Sequence, residues 1–228
     1  EVKGRVGSKI TFYTSFYENQ AIFPDYLEDA IVDNYFVVPG QGYSKWGDHE
    51  VDHDFDFAMS SGLISYQADK HFNFQFGHGK NFIGDGYRSL LLSDNAFNYP
   101  FFKITTDFWK VKYVNIFSIL QDLRPEFELN NTFRKKYSTT HYLSINLTKR
   151  WNLGLFEAIV WEQSESARGF DINYLNPIIF YRPVEFSLGS ASGNALLGLN
   201  TKFKLNNSAH LYGQLLLDEF RFSELKAK

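Results

Sequence analysis

Four carboxylates in the second half of the chain, Glu157, Glu185, Asp218 and Glu219, are of the type that cleaves glycosidic bonds. That chemistry needs two carboxyl groups about 5–10 Å apart on either side of a sugar. Only the fold can set that distance. Arg182 and Lys202 are available as counter-ions, so ion pairing is the favoured role. Asp48, His49, Glu50, Asp52, His53 and Asp54 form the densest run of metal-ligand types. A divalent cation there would draw on His49, Asp52 and His53. The spacing matches neither His-Glu-x-x-His nor an EF-hand loop, and a solvated acidic loop is the favoured reading.

Gly77, Gly79, Gly84 and Gly86 have the look of a phosphate-cradling loop. The Lys-Ser/Thr that a P-loop carries after its last glycine is missing. These glycines are expected to let the backbone turn or bulge as a strand leaves a sheet. Beside them stand Asp85, Arg88 and Asp94, where the planar fork of arginine suits a carboxylate. They are expected to lock a loop, with direct contact to a sugar as the alternative. Asn176-Pro177 and Arg182-Pro183 bracket the apolar run 178–181. Each proline removes a donor and biases the residue before it away from the α region. A plug or inward-folded loop is expected there, with Tyr181 and Arg182 facing a sugar. No catalytic residue and no cofactor is assigned.

The elements that must position these groups are strands. In His71-Phe72-Asn73-Phe74-Gln75-Phe76 the period is two. Successive side chains of a strand point to opposite faces, so one face is greasy and the other polar. Ile10–Phe16, Phe55–Leu63, Leu143–Leu147, Leu197–Leu205 and Leu211–Leu217 alternate in the same way. Segments 111–121 and 153–161 are apolar on both faces. The 24 Phe, 14 Tyr and 4 Trp make up 18% of the 228 residues, and aromatic rings pack well on pleated surfaces.

Four connections are short: around Ala68-Asp69-Lys70, Trp109-Lys110, Arg150-Trp151-Asn152 and Asn206-Asn207-Ser208. The connections between those hairpins, roughly 18–53, 83–100, 122–139 and 163–194, are long. Short turns at one end and long loops at the other is the outer-membrane barrel pattern. Trp109, Trp151 and Trp161 fall near strand ends, where an interfacial girdle would sit. About nine strands are expected, an odd number for a bacterial barrel, so the reading is part of a barrel.

Other classes are excluded. No apolar stretch reaches the length of a membrane-spanning helix. The net charge of −3 leaves no footprint for nucleic acid. With 0 Cys there is neither a disulfide framework nor a thiolate metal site.

The long loops carry the most distinctive words: Gly77-His78-Gly79-Lys80-Asn81-Phe82, Gly84-Asp85-Gly86-Tyr87-Arg88-Ser89-Leu90-Leu91-Leu92-Ser93-Asp94, Tyr99-Pro100-Phe101, Leu155-Phe156-Glu157-Ala158, Asn173-Tyr174-Leu175-Asn176-Pro177, Arg182-Pro183-Val184-Glu185 and Asp218-Glu219-Phe220. Over residues 54–220 the chain resembles the Wzi-like capsule-assembly proteins of the outer membrane, and within them the RemB-type proteins linked to gliding motility in Bacteroidetes. The resemblance implies a non-catalytic barrel of about 18 strands in the outer membrane of a Gram-negative bacterium, in contact with lipid. It also implies binding or assembly of capsular polysaccharide at the cell surface, or support of gliding motility with its motility or secretion proteins. The chain is about half the expected length.

The expected fold is therefore all-β, a single antiparallel up-and-down transmembrane β-barrel domain over 1–228, as a fragment of a larger barrel. The candidate ligand-binding residues are Asp85, Arg88, Asp94, Tyr181, Arg182, Glu185 and Asp218. Two other classes stay open, a β-rich glycoside-processing enzyme and a soluble carbohydrate-binding module.

Overall fold

The computed structural model describes residues 1–46, 54–123, 133–162, 172–178 and 193–218. In chain order the elements are β1 (Val2–Val6), β2 (Ile10–Ile22), α1 (Asp25–Asp33), β3 (Val37–Val38), β4 (Gly42–Tyr43), β5 (Lys45–Trp46), β6 (Asp54–Gln67), β7 (Phe72–Gly79), β8 (Tyr99–Phe108), β9 (Val111–Asp122), β10 (Arg134–Asn146), β11 (Trp151–Glu162), a 3-10 turn (Ile172–Leu175), β12 (Asn194–Lys204) and β13 (His210–Asp218). The long strands form one antiparallel up-and-down path, β1-β2-β6-β7-β8-β9-β10-β11-β12-β13, with β5 added beside β6. Among the described residues β1 and β13 do not pair with each other.

All but one of the alternating sets line up in register; Phe55, Phe57, Met59 and Leu63 are on the opposite face, because Phe55 and Phe57 pack on α1, and β6 supplies Ile64 to the common row instead. Phe12, Ile64, Phe76, Phe102 and Phe117 are successive cross-strand partners. So are Phe72, Thr106, Tyr113, Leu143, Leu155, Leu199 and Leu215. Paired residues share a face, so these rows build one apolar surface, called here the outer face. Phe16, Phe76, Phe108, Leu211 and Leu215 on it are exposed.

The opposite, inner face is polar near the short turns and apolar in the middle. Ile116, Phe156, Ala158, Tyr99 and Phe101 form its core with Ile83 and Leu91, which belong to the β7–β8 connection. The same cluster reaches Leu63 on β6 and Leu216 on β13. On a flat sheet those strands would lie roughly 34 Å apart at the usual spacing. The connection spans that width, since Asn98 bonds Ser60 and Ser61 of β6 while Ser89 and Leu90 bond Gln214 of β13.

The structure adds β1, paired through Val6 and Ile10 around Gly7, to the expected nine strands. Its five residues, with Gly4 at the centre, are too few to show a period. It adds a fifth short turn at the same end as the others. In three turns a side chain caps the backbone. Asp69 accepts from the amides of His71 and Phe72, Thr148 from those of Arg150 and Trp151, and Asn206 from those of Ser208 and Ala209. Such local bonds are what make these residue types turn formers.

Two connections expected as loops hold structure. β2 continues to Ile22, and the stretch beyond it carries α1 and the short hairpin β3–β4. Ile31 of α1 is fully buried with Val38, Phe55 and Phe57. β10 starts at Arg134, within the expected 122–139 loop. Its polar opening residues enter the sheet because Lys136 bonds Asp122 at 2.7 Å and Arg134 bonds Glu162 at 3.1 Å, across both neighbouring strands.

Candidate functional site

The connection 80–98 folds onto the inner face. An antiparallel bridge holds it, with the Ile83 amide donating to the Leu92 carbonyl at 2.9 Å. The Ser89 hydroxyl donates back to the Ile83 carbonyl. Gln214 of β13 accepts from the Leu90 amide at 3.0 Å and donates to Ser89 at 3.2 Å. Gly84 sits at φ +149°, and a Cβ there would come within 2.5 Å of Gln214. Glycine is therefore favoured by the backbone conformation, with the side-chain amide of Gln214 packed against it.

Asp85 leaves this loop to meet β12. Its carboxylate accepts from Asn200 at 2.7 Å and from Lys202 at 2.8 Å. Asn200, fully buried, also donates to the Tyr142 hydroxyl at 3.1 Å. The loop-locking ion pair exists, but its cation is Lys202. Arg88 is exposed, with its guanidinium 5.8 Å from the ring of Tyr87, and Asp94 is exposed as well.

Beside this lock lies a cavity of about 580 Å³ that opens among the short turns. Lys103, Lys112, Lys149, Arg150, Lys202 and Lys204 line it, against the single carboxylate of Asp85. Lys103 donates to the Asn81 side-chain oxygen at 3.1 Å. That bond fixes the amide orientation, which leaves the buried Nδ2 of Asn81 to the Tyr99 hydroxyl. Lys112 lies 3.6 Å from Asp107. Among the described residues Lys103, Lys149, Arg150 and Lys204 pair with no carboxylate. Sequence reading missed this set because its members are scattered. The signal was present: lysines recur on the polar face of β8, β9 and β12 near the short turns.

A second polar group sits on the outer face. Asn115, His141 and Glu157 are neighbours in one cross-strand row and all are buried. Residues 172–178 cover this area. Tyr174 stacks on Trp161 at 4.2 Å, and its carbonyl accepts from Thr139 at 3.0 Å. The Tyr113 hydroxyl donates to the Pro177 carbonyl at 2.6 Å and lies 2.6 Å from His141 Nδ1. A hydroxyl has one proton to give, so His141 carries its own proton on Nδ1 and donates it to Tyr113. The segment leading into the apolar run thus lies on the outer face. The element folded inward is 80–98 instead, because its Ile83, Leu91 and Leu92 supply the apolar surface that the inner core needs.

The structure separates two of the candidate catalytic carboxylates. Glu157 shares the outer face with its row partners Leu197 and Leu217, whereas Asp218 is on the inner side and exposed. Tyr181, Arg182, Glu185 and Glu219 lie outside the described residues, as do His49, Asp52 and His53. Among the described residues no cluster of three or more His, Asp or Glu side chains could hold a metal ion. Trp109 and Trp151 are exposed at the short-turn end, while Trp161 is buried at the other.

The fold and site define an all-β protein whose large antiparallel up-and-down sheet packs one of its own loops against its inner face. Comparison with protein-family models, with curated proteins and with solved structures gives no match. No helix among the described residues is long and apolar enough to cross a membrane, which says nothing of strands.

Proposed function

We propose that the protein is part of an outer-membrane β-barrel, non-catalytic, that binds or helps to assemble capsular polysaccharide or supports gliding motility. The observation that carries the membrane part is the outer face. Its apolar rows run in register from β2 to β13, with exposed Phe, Ile or Leu on β2, β6 to β9, β12 and β13, while residues 172–178 cover the polar row of Asn115, His141 and Glu157 between them. Proteins in water rarely expose contiguous apolar patches beyond a few hundred Å², whereas a lipid-facing sheet requires one. The five short turns and four long connections fall at opposite ends of the sheet, which fits the same reading. The polysaccharide part is supported by the loop words that resemble the Wzi-like proteins. The separation of Glu157 from Asp218 weighs against a glycosidase built on that pair.

Adjacent residues of β7 provide the test. Phe76 is on the outer face and Gln75 on the inner. In phospholipid vesicles Phe76→Arg is expected to destabilise the protein by about 2–4 kcal/mol, the cost of a cation in the lipid band. Gln75→Arg is expected to change stability far less. Equal effects of the two, or a wild-type chain that stays monomeric in water without detergent, would overturn the membrane reading.

A further inference from the structure

We propose that the cavity at the short-turn end is a binding site for an anionic saccharide, one carrying a phosphate or a carboxylate. Six cationic side chains converge there against one carboxylate, and Asp85 is already bonded to Lys202 and Asn200. Clefts lined by one sign of charge focus the field and concentrate the opposite ion. Asp85 offsets Lys202 and Asp107 offsets Lys112, while Lys103, Lys149, Arg150 and Lys204 have no carboxylate partner among the described residues, so an added anion would relieve their repulsion. Arg150 adds the planar fork that matches phosphate and carboxylate.

The size argues for more than a bare ion. A volume of about 580 Å³ falls among small-molecule sites, about 300–1,000 Å³. The strand residues that line it, among them Tyr142, Ser144, Asn146 and Asn152, offer hydroxyl and amide groups that can bond the hydroxyls of a sugar. The anion rests on the cavity alone, and the sugar that carries it rests also on the polysaccharide reading above.

Calorimetric titration of the full chain in detergent micelles at low salt tests the site. The probes are glucose 6-phosphate, glucuronate, inorganic phosphate and glucose. Both or one of the anionic sugars should bind at least about tenfold more tightly than inorganic phosphate, a step of about 1.4 kcal/mol, and glucose should not bind. The stronger of the two identifies the anionic group. Added NaCl should weaken binding. The combined variant Lys149→Gln, Arg150→Gln, Lys204→Gln alters side chains that make no ion pair among the described residues. It should fold as the wild type does and lose binding about tenfold or more. No binding of either anionic sugar by folded protein, or full-strength binding by the triple variant, would overturn the site. Inorganic phosphate binding as tightly as the sugars would overturn the saccharide. Binding retained by a chain that fails to enter vesicles would support the site while removing the membrane reading.

Discussion

The two ends of the inner face treat positive charge in opposite ways. At the long-loop end Arg134 and Lys136 stand among Asp122 and Glu162, with contacts of 2.7, 3.1 and 3.6 Å linking adjacent strands. At the short-turn end the cavity gathers six cations around Asp85. The strands are the same and the polar positions follow the same alternation. Where the sheet needs neutrality for its own pairing, the sequence supplies the carboxylate on the neighbouring strand. Where it leaves cations unmatched, the positions are of use to something else.

Removing one cation from each end should break this comparison most sharply. Lys136→Ala leaves Asp122, which is 5% exposed, without its 2.7 Å partner. Loss of one partner of a fully buried pair costs about 3–5 kcal/mol. Lys136 is partly exposed to water, so about 2–3 kcal/mol is expected. Lys204→Ala should change stability by less than about 0.5 kcal/mol, since among the described residues no carboxylate pairs with it. Urea unfolding of both variants in micelles measures the difference. If Lys204→Ala is as costly as Lys136→Ala, the turn-end cations are structural and the contrast fails.

Asp85→Asn sharpens the same contrast from the other side. The amide keeps an acceptor for Asn200 or Lys202 but gives up the charge. Stability should fall by about 1 kcal/mol, the scale of a partly exposed charged bond. The cavity becomes more positive, so an anionic ligand should bind more tightly. A variant both less stable and a better binder is the outcome to look for. Weaker binding would mean that Asp85 shapes the cavity more than it offsets its charge.

Much of the sheet was legible in the sequence, because one face of each strand is greasy and register must respect that alternation. His71–Phe76 and Leu211–Leu217 are clear cases. β1 was hidden by brevity, and the first residues of β10 by charges whose partners sit on β9 and β11. Those partners are distant in sequence, so local composition reads as loop. The site was harder. Asp85 was recognisable as an ion-pair former, yet its cation lies 117 residues further on, and Arg88 was the obvious local choice. Residues 172–178 illustrate the same limit, since which face a segment covers depends on where apolar surface is left over.

The smallest effect concerns the turn between β6 and β7. Asp69 is fully exposed, yet its carboxyl is held below the ordinary carboxylate value of 3.8. The amide of His71 at 2.7 Å is the main cause, and that of Phe72 at 2.9 Å comes next. The charges of His71 and Lys9 add to it. A carboxyl whose pKa is depressed by folding contributes stability above its unfolded pKa. That contribution disappears as pH falls through the lower, folded value. Observed by NMR, the Asp69 carboxyl should titrate below 3.8, and the His71 amide resonance should move with the same midpoint. Asp69→Asn retains an acceptor for the turn, so the hairpin should persist while that titration is lost. A midpoint at or above the ordinary value would mean that the two amides are not bonded in solution. The short-turn end would then lack the local order on which the arrangement of its cations depends.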